Sequence, residues 1–148
     1  MSKFIQIQIE HISMSLVHKL LLELDPKFAE RLSQTLVLEE YAKKLSQYAY
    51  FVTAKIDGEY VGVCAFYINE VKQEYFIPYI CVSSTCRKMG IAGKIFETIC
   101  QEADSNNYNV ALEVRNDNSG AIHLYQKFGF IENSVGEEKT RMTRISKI

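Results

Sequence analysis

At 148 residues, with hydrophobic residues at 47%, charged residues at 24% and a formal net charge of -1, the chain has the length and composition of one globular domain. The near-neutral balance offers no bulk attraction for a polyanion, so nucleic acid is not an expected partner, and no run approaches the roughly 20 apolar residues that span a bilayer. The Met-Ser-Lys-Phe start lacks the apolar core of a signal peptide, which makes the cytoplasm the expected compartment and a membrane partner unexpected. No repeat, low-complexity tract or linker breaks the chain, so residues 1–148 read as a single domain.

Phe4 to Glu10 alternates, Phe4, Gln6 and Gln8 against Ile5, Ile7 and Ile9, and predicts a half-buried strand. Ser15 is the expected cap of a helix with the stripe Leu16, Val17, Leu20, Leu21 and Leu24. Asp25-Pro26 suits the cap and first position of a short helix to about Leu32, and Thr35 a third segment burying Leu38, Tyr41, Ala42 and Leu45. Ala49 to Ile56 and Tyr60 to Ile68 are rich in aromatic and β-branched residues, and Asp57-Gly58 between them signals a hairpin turn. Glu74 to Val82 is the next strand. Its Pro78 removes a ladder donor, so the strand should be bulged or unpaired on one side there.

The stretch Ile80 to Ala103 organises the rest. An apolar strand ends at Val82, a small polar loop carrying Arg87 and Lys88 follows, and Gly90 opens a helix with Ile91, Ile95, Phe96, Ile99, Cys100 and Ala103 at helical spacing. Backbone N–H groups without partners at such a helix start, helped by its dipole, seat a phosphate. Asn109 to Val114 is a short strand, and Ala121, Ile122, Tyr125 and Phe128 form a helix capped by Asn118 or Ser119 and ending at Gly129. Phe130 to Ser134 and Thr140 to Ile145 complete the strands.

The run Val82 to Gly93, with Arg87-x-x-Gly90-x-Ala92, resembles the acetyl-CoA pyrophosphate loop of the GNAT superfamily of N-acetyltransferases. Leu112 to Phe130, with Asn118, Ala121, Tyr125, Gly129 and Phe130 at matching positions, is similar to that superfamily's second signature and resembles its form in bacterial ribosomal-protein alanine N-acetyltransferases. The resemblance implies an α/β fold: one mixed, mostly antiparallel sheet of six to seven strands, flanked by about four helices and splayed at an acetyl-CoA cleft. It implies acetyl-CoA as acetyl donor and direct transfer to a primary amine of a small molecule, an amino sugar or a protein N-terminus. A homodimer is an allowed assembly.

The same resemblance places cofactor contacts at Ile80, Cys81 and Val82, whose backbone would meet the pantetheine arm, and at Arg87, Lys88, Met89, Gly90, Ile91, Ala92 and Gly93 in the pyrophosphate loop. It puts Asn118 near the pantetheine, though asparagine there also serves as a plain helix cap. Tyr125 matches the family's general acid: a phenol stays protonated at neutral pH and can donate to the departing sulfur, while a packing role needs no such chemistry. Glu113 is the candidate base, on the premise that partial burial raises its pKa, against a simple ion pair with Arg115 on the same strand face. Other branches of the family place a glutamate on the strand before the loop, where this chain offers only Glu74 and Tyr79, so a water relay is a further option.

Four cysteines without C-x-x-C spacing read as packing residues, with Cys86 a bystander thiol in the loop, and the three histidines have no metal-ligand spacing. No metal is assigned. The loop lacks the G-K-[ST] ending of a nucleotide triphosphatase. The competing class is a non-catalytic acyl-CoA-binding sensor or scaffold.

Overall fold

The computed structural model describes residues 4–33 and 37–147, and of residues 31–33, 87 and 88 it describes the backbone alone. In chain order these residues form β1 (Ile5–Glu10), α1 (Met14–Leu24), α2 (Pro26–Ser33), α3 (Val37–Tyr48), β2 (Tyr50–Ile56), β3 (Glu59–Asn69) and β4 (Glu74–Val82). A 3-10 helix (Ser84–Met89), α4 (Ile91–Ser105), β5 (Asn109–Arg115), α5 (Ser119–Lys127), β6 (Ile131–Val135) and β7 (Lys139–Arg144) follow. The strands join one sheet in the order β1-β2-β3-β4-β5-β7-β6, mostly antiparallel with β4 and β5 parallel. This is the mixed α/β architecture, with a mostly antiparallel sheet, that the resemblance implies. None of the described helices is long and apolar enough to cross a membrane.

The chain divides into two compact units. The first takes in Met1–Ala65 and Tyr79–Ile95. Here β1 pairs antiparallel with β2, from Ile5 opposite Ile56 to Glu10 opposite Phe51, and the Asp57-Gly58 turn, both residues at positive φ, closes the expected hairpin. Val17, Leu20 and Leu21 of α1 and Leu38, Ala42 and Leu45 of α3 are buried with Phe51, Val52 and Val63. The cap of α1 is Ser13, not Ser15: the Ser13 hydroxyl accepts from the Leu16 N–H at 3.3 Å, and the helix begins at Met14. Both serines precede the apolar stripe, so spacing alone did not separate them. The expected Thr35 cap lies outside the described residues. The start of α4 packs closely on β3, where a Cβ added at Gly62 would lie 3.0 Å from Ile91 and 3.1 Å from Ile95.

The second unit takes in Phe66–Pro78 and Phe96–Ile148. β5 is flanked by β4 and by β7, and its Val110, Ala111, Leu112 and Val114 are buried with Phe96, Ile99, Phe130 and Met142. Registered β4–β5 pairs run from Glu74 opposite Asn109 to Ile77 opposite Leu112 and end at the residue before Pro78. The missing proline donor thus falls where the ladder stops. Two ion pairs tie elements together. Arg144, 6% exposed, grips Asp104 through two hydrogen bonds of 2.8 and 2.9 Å, and Arg141 pairs with the buried Glu74.

Candidate active site

Beyond β4 the expected polar loop is a 3-10 helix. Ser83 leads into it, its N–H bonded to the Val61 carbonyl at 2.7 Å, and the Cys86 N–H returns to the Ser83 carbonyl at 2.9 Å. Gly90 does not open α4 but stands between the two helices in a left-handed conformation, φ 74° and ψ 19°, which glycine adopts without strain. The first bond of α4 runs from the Lys94 N–H to the Gly90 carbonyl at 3.1 Å. The N–H groups of Ile91, Ala92 and Gly93 are therefore first-turn donors with no acceptor within the helix. Ile91 is fully buried and anchors this turn, while Ala92 and Gly93 are half-buried and Met89 is 39% exposed. The side chains of Arg87 and Lys88, expected to meet phosphate, lie outside the described residues.

This turn fits an anionic group. Three first-turn donors without an acceptor inside α4 and the positive end of a 15-residue helix converge there, and among the described residues beyond its chain neighbours no atom lies within 4 Å of the position a Cβ of Gly90 would take. Upstream, Ile80, Cys81 and Val82 are half-buried at the end of β4. The Tyr79 hydroxyl donates to the Asp25 carboxylate at 3.1 Å, and the Cys81 thiol donates to the Leu24 carbonyl at 3.3 Å. Burial above all, then neighbouring Cys81 and Asp25, pushes the Tyr79 phenol far above the ordinary tyrosine range. Tyr79 keeps its proton and cannot serve as a base.

In the second unit, Asn118 caps α5, its Oδ1 accepting from the Ala121 N–H at 3.1 Å. Tyr125 sits half-buried on α5, with its ring edge-on to Phe96 at 5.5 Å and tilted against Phe130 at 6.0 Å. Its carbonyl receives the Phe128 and Phe130 N–H groups, both at 3.0 Å, so backbone and ring are held independently. The helix ends at Lys127, and Gly129 follows at φ 95°.

Glu113 departs from expectation. It is exposed on β5, so the burial invoked to make it a better base is absent: its strand face is buried at Ala111 but solvated from Glu113 to Arg115. Nor does Arg115 take Glu113 as its ion-pair partner: its Nε lies 3.3 Å from Asp117, while Glu113 stands in register with Arg141 on β7. Glu74 is committed to Arg141. The Asp25–Tyr79 contact gave no sign in the sequence, since 54 residues separate the partners and no local period links them. Among the described residues, no three His, Cys, Asp or Glu side chains are grouped as metal ligands.

Comparison with known proteins matches residues 15–130 to the acetyltransferase (GNAT) family. A probable N-acetyltransferase, camello, of Xenopus laevis is 31% identical over 98 residues, covering 65% of this chain and 45% of that protein. The chain thus spans about half the length of the curated relatives it matches. Among solved structures, the ribosomal-protein-S18-alanine N-acetyltransferase of Escherichia coli superposes with a TM-score of 0.74 at 16% identity, over 97% of this chain and 96% of that one. The PaiA N-acetyltransferase of Thermoplasma acidophilum, solved in complex with coenzyme A, gives 0.74 at 13% identity over 95% and 99%. The family match runs from α1 through α5 and so takes in the 3-10 helix, Gly90 and Tyr125: the chain belongs to the acetyltransferase (GNAT) family.

Proposed function

We propose that this protein is an acetyl-CoA-dependent N-acetyltransferase that transfers acetyl directly to a primary amine in a ternary complex. Family membership supports the reaction class. The observation that carries the reading is Gly90, whose left-handed turn precedes the first-turn N–H groups of Ile91, Ala92 and Gly93, donors without an acceptor inside α4 that can receive a pyrophosphate. Acetyl-CoA supplies an activated acyl group as a thioester. The backbone of Ile80 to Val82 holds the pantetheine arm, Asn118 contributes near it, and the α4 turn with Met89 holds the pyrophosphate, joined by Arg87 and Lys88.

Attack by the neutral amine on the acyl carbon forms the C–N bond, and scission of the C–S bond releases a thiolate. Tyr125 protonates that sulfur. The amine's proton leaves to Glu113 or, since Glu113 is exposed, through water to solvent. Glu74 and Tyr79 take no part as bases. The resemblance of Leu112 to Phe130 to the ribosomal-protein alanine enzymes makes an Ala-initiated peptide the first acceptor to try, beside small amines and amino sugars.

Thiol release from acetyl-CoA across that panel tests the proposal, together with Tyr125→Phe. Because the variant keeps its ring contacts with Phe96 and Phe130, acetyl-CoA affinity should hold while turnover falls by about 10 to 1,000-fold. The alkaline limb of the pH profile should disappear with the phenol. Wild-type turnover in Tyr125→Phe, with chemistry rate-limiting, would return Tyr125 to a packing role. Tight acetyl-CoA binding with no thiol release from any amine would favour the non-catalytic sensor.

A further inference from the structure

The end of β4 has an unusual support. Its registered pairing with β5 stops at Ile77, and Pro78 has no N–H to give. Two side-chain hydrogen bonds then reach from the strand to the junction of α1 and α2: Tyr79 to the Asp25 carboxylate at 3.1 Å, and Cys81 to the Leu24 carbonyl at 3.3 Å. These donors bracket Ile80 and lie on alternate residues, hence on one face of the strand. Tyr79 is 9% exposed, and its ring is wedged against Phe28 at 5.2 Å and Tyr41 at 6.4 Å, which limits its freedom to leave Asp25. Asp25 is itself fixed, as the residue that closes α1 and whose carbonyl receives the Ala29 N–H of α2 at 3.0 Å.

We infer that Tyr79, locked to Asp25, is a positioning residue that holds the Ile80–Val82 backbone in the conformation that meets the pantetheine arm. This rests on the proposed path of acetyl-CoA along those residues. The side-chain clamp replaces, on this stretch, the rigidity that a continued β4–β5 ladder would give. Since the phenol keeps its proton across the working pH range, the clamp does not open by titration of Tyr79. Tyr79 touches no reacting atom and acts through the backbone next to it.

Two probes separate this role from a general structural one. Acetyl-CoA reads both the phosphate turn and the pantetheine contact, whereas 3′-phosphoadenosine 5′-diphosphate keeps the pyrophosphate but has no pantetheine arm and lacks that contact. In calorimetry, Tyr79→Phe should weaken acetyl-CoA by about 10-fold, roughly 1.4 kcal/mol, and leave the diphosphate unchanged. Asp25→Ala should match it. Asp25→Asn keeps an oxygen that accepts from the phenol and should bind acetyl-CoA nearly as wild type does. Equal weakening of both probes, or unchanged acetyl-CoA affinity in folded Tyr79→Phe, would overturn the inference. Should wild type bind acetyl-CoA no more tightly than the diphosphate, the pantetheine path itself would be wrong and the inference would fall with it.

Discussion

Gly90 separates two effects that are usually confounded. A Cβ there meets no atom of the described residues beyond its chain neighbours within 4 Å, so the cost of Ala is conformational, about 1 kcal/mol for holding an L-residue at φ 74°. Gly90→Ala should therefore lose roughly that much stability while still binding acetyl-CoA. Gly90→Glu carries the same strain plus a negative charge at the anion seat, and binding should fall below detection in calorimetry. Equal affinity in folded Gly90→Glu and wild type would refute a phosphate site at this turn. Glu113 and Tyr79 mark the limit of reading at this scale. The apolar run around Glu113 located it on a strand, but how far each face is covered depends on elements packed from elsewhere in the chain, and the cover that buries Ala111 stops short of Glu113. Tyr79 read as an alternative base and not as a clamp because its partner, Asp25, is remote in sequence.

Between elements, the pair Asp104–Arg144 connects the last turn of α4 to β7. Hydrogen bonds from Arg144 hold the Asp104 carboxyl below the usual carboxylate range. A depressed folded pKa contributes stability that is present above the unfolded value, about 3.9, and is lost as pH falls through the folded value. Asp104→Asn leaves the buried guanidinium without its counter-charge and should cost on the order of 3 kcal/mol at neutral pH. The gap from wild type in urea unfolding should narrow as pH drops below about 4. A gap independent of pH would mean that Arg144 is satisfied without the charge. This pair, like Arg141 with Glu74, had no local signature, whereas the elements it joins did. Asp57-Gly58 gave the hairpin, Pro78 the end of the β4–β5 ladder and Asn118 the cap of α5, because each acts on its own backbone within a few residues. The 3-10 helix escaped notice since Ser84–Met89 has no apolar period to betray it.

At the scale of the whole molecule, the family match ends at residue 130, yet the folded unit does not. β5 carries the buried Val110, Ala111 and Leu112, and β7 pairs with it from Val110 opposite Arg144 to Arg115 opposite Lys139. β4 covers only the other edge of β5, and only as far as Leu112. A chain cut to residues 15–130 would lose β1 from the edge of β2, and with β7 the fully buried Met142 and the Arg144 that neutralises Asp104. It would also turn β5 into an open edge, rich in apolar residues and prone to pairing with other copies. Such a fragment should show no cooperative thermal transition by circular dichroism and should aggregate, while the full chain melts cooperatively. A dispersed amide spectrum, a sharp transition and retained acetyl-CoA binding in the fragment would show that β1, β6 and β7 are dispensable to the core around Phe96.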